Sequence, residues 1–186
     1  MTAQVVRQPL ATREGARRTL DQRIQLRFPR LATLTSVLLA RLPSGSRVRK
    51  AALKRTSELV LEAFNRRDLA ATMVTAHPAF EYHPNRDWVE AGLVESCYRG
   101  LAEYRRYVET VDEVWGGQNF LMGTEVIDLG DRFVVFAKAR MRAQASGVWL
   151  NEEFALVVTL NGGRATAMQE YYDHAQALAV VGLAPG

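Results

Sequence analysis

QNFLMGTEVIDLGDRFVVFAKARMRAQASGVWLNEEFALVVTLNGGRATAMQEYYD, residues 118–173, decides the fold. It divides into four runs rich in β-branched and aromatic residues, at 118–129, 132–144, 148–160 and 164–173. Between them stand Gly130-Asp131, Ser146-Gly147 and Asn161-Gly162-Gly163, which are hairpin signals. Four hairpin-linked strands form an antiparallel meander. Runs this much longer than the usual ~5 or 6 residues require strong twist and curvature, which suits a sheet wrapped around helices.

Strand alternation assigns faces within the meander. Phe133, Val135, Ala137, Ala139 and Met141 share one face and are expected to look inward, opposite Lys138, Arg140 and Arg142. Ala137 and Ala139 either leave room for a ligand or allow close packing of a bulky helix residue. Val148, Leu150, Glu152, Phe154, Leu156, Val158 and Leu160 form a row that only Glu152 breaks. A carboxylate there needs a partner, a proton or an exposed strand end. In the last strand, Thr166, Met168, Glu170 and Tyr172 share a face, which makes Glu170 a second inward carboxylate.

The elements before the meander are helices and short strands. A periodic run with Val48, Ala52, Leu59, Val60, Ala63 and Phe64 predicts a helix from after Gly45 to about Arg66, and Asp68 caps a short helix over 69–74. AFEYH at 79–83, bracketed by Pro78 and Pro84, reads as an edge strand followed by a polar loop. Residues 94–98 read as a short strand. Gly100 opens a helix whose stripe is Leu101, Tyr104, Val108, Val111 and Trp115. AQALAVVGL closes the chain as a last short helix.

The charge is divided unevenly. Residues 1–55 carry 13 of the 24 Lys and Arg against only Glu14 and Asp21, a net +11, while the remainder carries −7. Such an arm can dock on its own acidic body, on a partner's, or on a phosphate-rich surface. Leu31 to Leu42 reads as an amphipathic helix that packs on the main domain or adsorbs to a membrane surface. The arginines lack interleaved aromatics, which argues against specific nucleic-acid binding. A single cysteine, Cys97, rules out an internal disulfide, and no run is apolar and long enough for a transmembrane helix. A cytoplasmic protein is expected, with an N-terminal extension at 1–46 and one pocket domain at 47–186.

AFNRRDLAATM (63–73), HPAFEYHP (77–84), CYRGLAEYRRYV (97–108), LNGGRATAMQEYYDHAQAL (160–178) and the terminal VGL (181–183) together resemble the nuclear transport factor 2-like superfamily, and its polyketide cyclase-like (SnoaL-like) branch in particular. The resemblance spans about residues 57–183 and omits the basic arm. It implies an α+β, cystatin-like cone, a curved antiparallel sheet around about three helices, with an apolar pocket in its mouth and a homodimer through the outer sheet face. Ketosteroid isomerases of this family place an Asp base before a proline at the end of the first strand, where this chain has His83 and Pro84. Their acidic oxyanion donor falls on Leu156 and their helix-one tyrosine on about Val60. The Asp of the limonene epoxide hydrolase set falls on Glu170, but its other members fall on about Ala137 and Ala139.

The resulting expectation is a cofactor-independent acid-base enzyme of isomerase, cyclase, dehydratase or epoxide-hydrolase type, acting on a small apolar molecule. His83 is the candidate base or acid and Glu170 its partner. Glu81, Trp88, Tyr98, Ala137, Ala139, Met141, Glu152, Phe154, Leu156, Met168 and Tyr172 are candidate substrate contacts. The bland readings are a strand-end histidine bonded to a loop carbonyl and a glutamate paired within the core. A non-catalytic binding or interaction module is the alternative function. His77, His83 and His174 share no metal-ligand spacing, so neither metal nor cofactor is expected.

Overall fold

The computed structural model describes residues 5–117 and 119–184. The meander forms as its alternation predicts, with β4 (Asn119–Asp128), β5 (Arg132–Arg142), β6 (Trp149–Asn161) and β7 (Arg164–Tyr171). Gln118, expected to begin the first of these runs, lies outside the described residues. Ahead of the meander come β1 (Val6–Pro9), α1 (Leu20–Arg27), α2 (Pro29–Ala40), α3 (Arg47–Asn65), α4 (Leu69–Thr72), β2 (Ala76–His83), α5 (Arg86–Glu90), β3 (Tyr98–Arg99) and α6 (Gly100–Trp115), and α7 (His174–Val180) follows it.

All seven strands join one curved open sheet in the order β1-β4-β5-β6-β7-β2-β3. Every pairing is antiparallel except β2 with β7, which is parallel because the chain crosses over between them. The fold is α+β, with α3 packed on β4 and α6 on β2 inside the curve.

Two extra residues reset the alternation. Gly123 pairs with Ala137 but Glu125 with Phe136, so Thr124 is a bulge, and both Leu121 and Val126 point into the core. Thr166 is the extra residue of β7, since Thr159 faces Ala167 and Leu160 faces Ala165. The expectation that Thr166 shares the face of Met168 and Glu170 is therefore corrected; its hydroxyl donates to the Thr159 carbonyl at 3.4 Å.

The inner face carries the larger core, including Phe80, Tyr82, Tyr107, Val135, Leu156 and Met168. A second, smaller core lies on the outer face, where Ala177 and Leu178 of α7 cover Ile127, Val134, Phe136, Ala155 and Val157. The part of the outer face under α7 is thus already occupied.

The basic arm lies against its own body. β1 extends the sheet beyond β4, an element its short unpatterned sequence does not signal. Arg13 and Arg18 pair with Glu62 and Asp68 at 3.0 and 2.6 Å, and the buried Gln22 amide donates to the Leu59 carbonyl at 3.0 Å. Arg49 donates to Asp128 at 2.7 and 2.8 Å and, through Nη1, to the Ala40 and Leu42 carbonyls that end α2. Asp128 is fully buried, so removing the guanidinium is expected to cost about 3–5 kcal/mol.

α2 does not turn its whole apolar face inward as expected. Ala32 is buried, whereas Leu31, Leu34 and Leu38 remain 53%, 54% and 53% exposed. Among the described residues, no helix is long and apolar enough to cross a membrane.

Candidate functional site

The site begins with β2. Phe80 and Tyr82 alternate onto the inner face, and Glu81 and His83 onto the outer. Tyr82 pairs with Met168 in the neighbouring β7, two residues from Glu170 on the same face. α6 brings Tyr104, Tyr107, Val108 and Val111 to the same core, and the ring centroids of Tyr82 and Tyr107 lie 4.5 Å apart. Leu101, expected in this stripe, is instead 39% exposed, and Tyr107 holds the inward position.

These elements converge on Glu170, which is 1% exposed. The Tyr82 and Tyr107 hydroxyls both donate to Glu170 Oε2, the second at 2.7 Å, and they lie 3.2 Å from each other. Burial raises the Glu170 carboxyl above its ordinary range, and hydrogen bonds from Tyr82, Tyr107 and Tyr172 offset part of that rise. The same burial, with Glu170 alongside, holds the Tyr82 and Tyr107 phenols well above their usual range, so they remain donors. Tyr172 is raised too, again first by burial.

The group borders a cavity of about 50 Å³. Of the expected residues, Trp88, Ala139, Met141, Phe154, Leu156, Met168, Glu170 and Tyr172 line it, joined by Tyr82, Tyr104 and Tyr107, which are not among the expected contacts. Trp88 and Tyr172, both partly exposed, stand together at its edge with centroids 5.8 Å apart. α5, read from the sequence as a polar loop, carries Trp88 there; the Asn85 side chain caps it by accepting from the Asp87 amide at 2.8 Å.

The other expected residues lie elsewhere. Ala137 is buried in the core without lining the cavity. Tyr98 is also buried, and its hydroxyl accepts the Glu95 amide at 2.9 Å. Glu152 is exposed, which fits the strand-end reading, although it pairs across the sheet with Ala139 and lies close enough to help raise Tyr172.

His83 and Glu170 are not a pair. His83 points away from the cavity because its position in β2 has the opposite parity to that of Tyr82. Its Nδ1 lies 3.3 Å from the Ser96 carbonyl, and its Nε2 3.5 Å from Glu81 Oε2. Glu81 in turn accepts from Arg99 Nε at 2.9 Å, and that guanidinium is the main cause of its lowered carboxyl pKa.

This outer cluster changes the reading of metal ligands. Glu81, His83 and Cys97 come within 4.8 Å of one another through the pairing of β2 with β3, although the histidines alone have no ligand spacing. Among the described residues, they form a group that could hold a cation, and the Arg99 guanidinium on Glu81 competes with one.

No protein-family model matches the sequence, and no curated protein matches it. Solved structures do. TerC, co-crystallised with polyporic acid, is 25% identical over 69% of this chain and 95% of its own, with a TM-score of 0.57. An NTF2-like protein of unknown function from Burkholderia pseudomallei K96243 is 24% identical over the same shares, with a TM-score of 0.58. A protein with a ketosteroid isomerase-like fold from Catenulispora acidiphila DSM 44928, in complex with trimethylamine, is 15% identical over 69% of this chain and 92% of its own, with a TM-score of 0.53. With the sheet order, bulges and helix placement described above, these likenesses show that the chain has the NTF2-like, ketosteroid isomerase-like fold.

Proposed function

We propose that the protein is a small-molecule enzyme in which Glu170 exchanges a proton with an apolar carbonyl substrate. The observation carrying this reading is a buried carboxyl, raised by its surroundings and bordering a cavity, with two phenol donors on one of its oxygens. A raised carboxyl is a stronger base when ionised and a usable acid when protonated near neutrality. Tyr82 and Tyr107 supply O–H groups that steady the carboxylate and can turn to a developing enolate oxygen.

A cavity of about 50 Å³ admits only the reacting end of a substrate. The rest would lie at the aromatic edge formed by Trp88 and Tyr172. TerC's co-crystallisation with polyporic acid supports an apolar, oxygen-bearing ligand for this fold. A cytoplasmic setting and a homodimer through outer-face strands not covered by α7 belong to the same proposal. The small cavity also favours a second reading, a non-catalytic binding module in which the phenols simply keep Glu170 satisfied.

Cyclohexanone in D2O separates the two readings, because exchange of its α-hydrogens reports carbon-acid proton transfer without knowledge of the natural substrate. The wild-type protein is expected to accelerate exchange about 10²-fold over Glu170→Gln, with His83→Ala close to wild type. Equal rates for wild type and Glu170→Gln would leave the binding module standing.

A further inference from the structure

A larger apolar chamber, of about 150 Å³, lies beside the Glu170 cavity, and the side chains of Leu61, Leu156 and Met168 border both. Leu53, Phe80, Phe133, Val158 and Leu160 form much of its wall. Its remaining side is α2 of the basic arm, through Ser36, Leu39 and Ala40. The arm therefore closes one side of a chamber that stays partly open.

The cover is held at both ends. Arg49 ties the carbonyls that end α2 to Asp128. At the β6–β7 turn, Gly163 has φ +78°, and a Cβ there would lie 2.5 Å from the Ser36 carbonyl oxygen. α2 thus rests directly on backbone, at a position where a side chain has no room.

One wall residue lacks a partner. Ser57, on α3, is 5% exposed, and its Oγ is buried without a hydrogen bond. A serine within a helix ordinarily bonds back to the preceding turn or faces water, and an unpaired buried hydroxyl is rare enough to need an explanation. The one charged pair at the wall, Arg49 with Asp128, is mutually satisfied and offers no free charge to a ligand.

We infer that this chamber is a second small-molecule site, which takes a single-ring aromatic or short aliphatic molecule bearing one hydroxyl or carbonyl. The apolar body fills the space between α2 and the sheet, and the oxygen bonds Ser57 Oγ once that unpaired hydroxyl turns about χ1 toward the chamber. Apolar cavities of about this volume accept benzene-sized molecules. Ser57 adds a preference for the oxygenated ligand, because only that ligand satisfies the hydroxyl.

The test titrates phenol and benzene into the full chain labelled with 13C at the methionine methyls. Met73 borders the chamber alone, Met141 the Glu170 cavity alone, and Met168 both. Phenol is expected to shift Met73 saturably while Met141 stays still. Ser57→Ala should weaken phenol about tenfold and leave benzene within about twofold. As a second variant, Ala165→Leu fills the chamber from the sheet side and should abolish the Met73 response to both ligands. The inference is overturned if Met73 does not saturate, if Met141 responds instead, or if Ser57→Ala affects both ligands alike or neither.

Discussion

The two faces of the sheet where β2 meets β7 hold two carboxylates with opposite fates. On the inner side, Glu170 meets phenols and largely apolar walls, and burial raises its pKa. On the outer side, Glu81 meets Arg99 and His83 in partial exposure, and its pKa falls. The groups lie one strand apart and share a chemical type. The difference shows that proton-handling capacity here follows strand parity: the outer carboxylate is stabilised as a charge, and the inner one is kept where charge is costly.

The largest effect is expected at Glu170 itself. Glu170→Ala should lose about 2–5 kcal/mol of unfolding free energy in urea, since it opens a hole and orphans the hydroxyls of Tyr82 and Tyr107. Tyr107→Phe removes one donor and should cost about 1–3 kcal/mol in the same measurement.

Glu170→Gln sharpens the contrast through pH. The folded-state pKa is raised, so the stabilisation from this group is fully present below the unfolded value of about 4.3 and is lost as pH rises through the folded value. The wild-type melting temperature should therefore decline over that interval more steeply than that of Glu170→Gln. Parallel curves would remove the inner carboxyl's distinction. The smallest effect is expected on the outer side, where Glu81→Gln should leave the melting temperature and cyclohexanone exchange nearly unchanged, because exposed ion pairs contribute little.

The sequence revealed the inner face of β5 and β6 because unbroken alternation over many residues leaves little choice of register. Ala139, Met141, Phe154, Leu156, Met168, Glu170 and Tyr172 were legible on that basis, and Trp88 was also foreseen as a wall. The isomerase analogy points to His83 as the base, but the alternation within AFEYH puts Phe80 and Tyr82 on the apolar side and His83 on the other. Tyr107 is three residues beyond Tyr104 on α6, a helical spacing that puts it on the same face. The bulge at Thr166 and the gathering of Glu81, His83 and Cys97 depend on pairing between distant strands, which local periodicity does not encode. The arm's contacts were legible as charge complementarity, but its partners were not: Arg49 and Asp128 are 79 residues apart.

The most direct measurement is the titration of Glu170 by 13C carboxyl NMR, with Glu170→Gln to assign the resonance. The midpoint is expected clearly above the ordinary glutamate value of about 4.3, with a further rise in Tyr107→Phe as a bond to the ionised form is lost. A midpoint at or below the ordinary value, unmoved by Tyr107→Phe, would contradict that expectation.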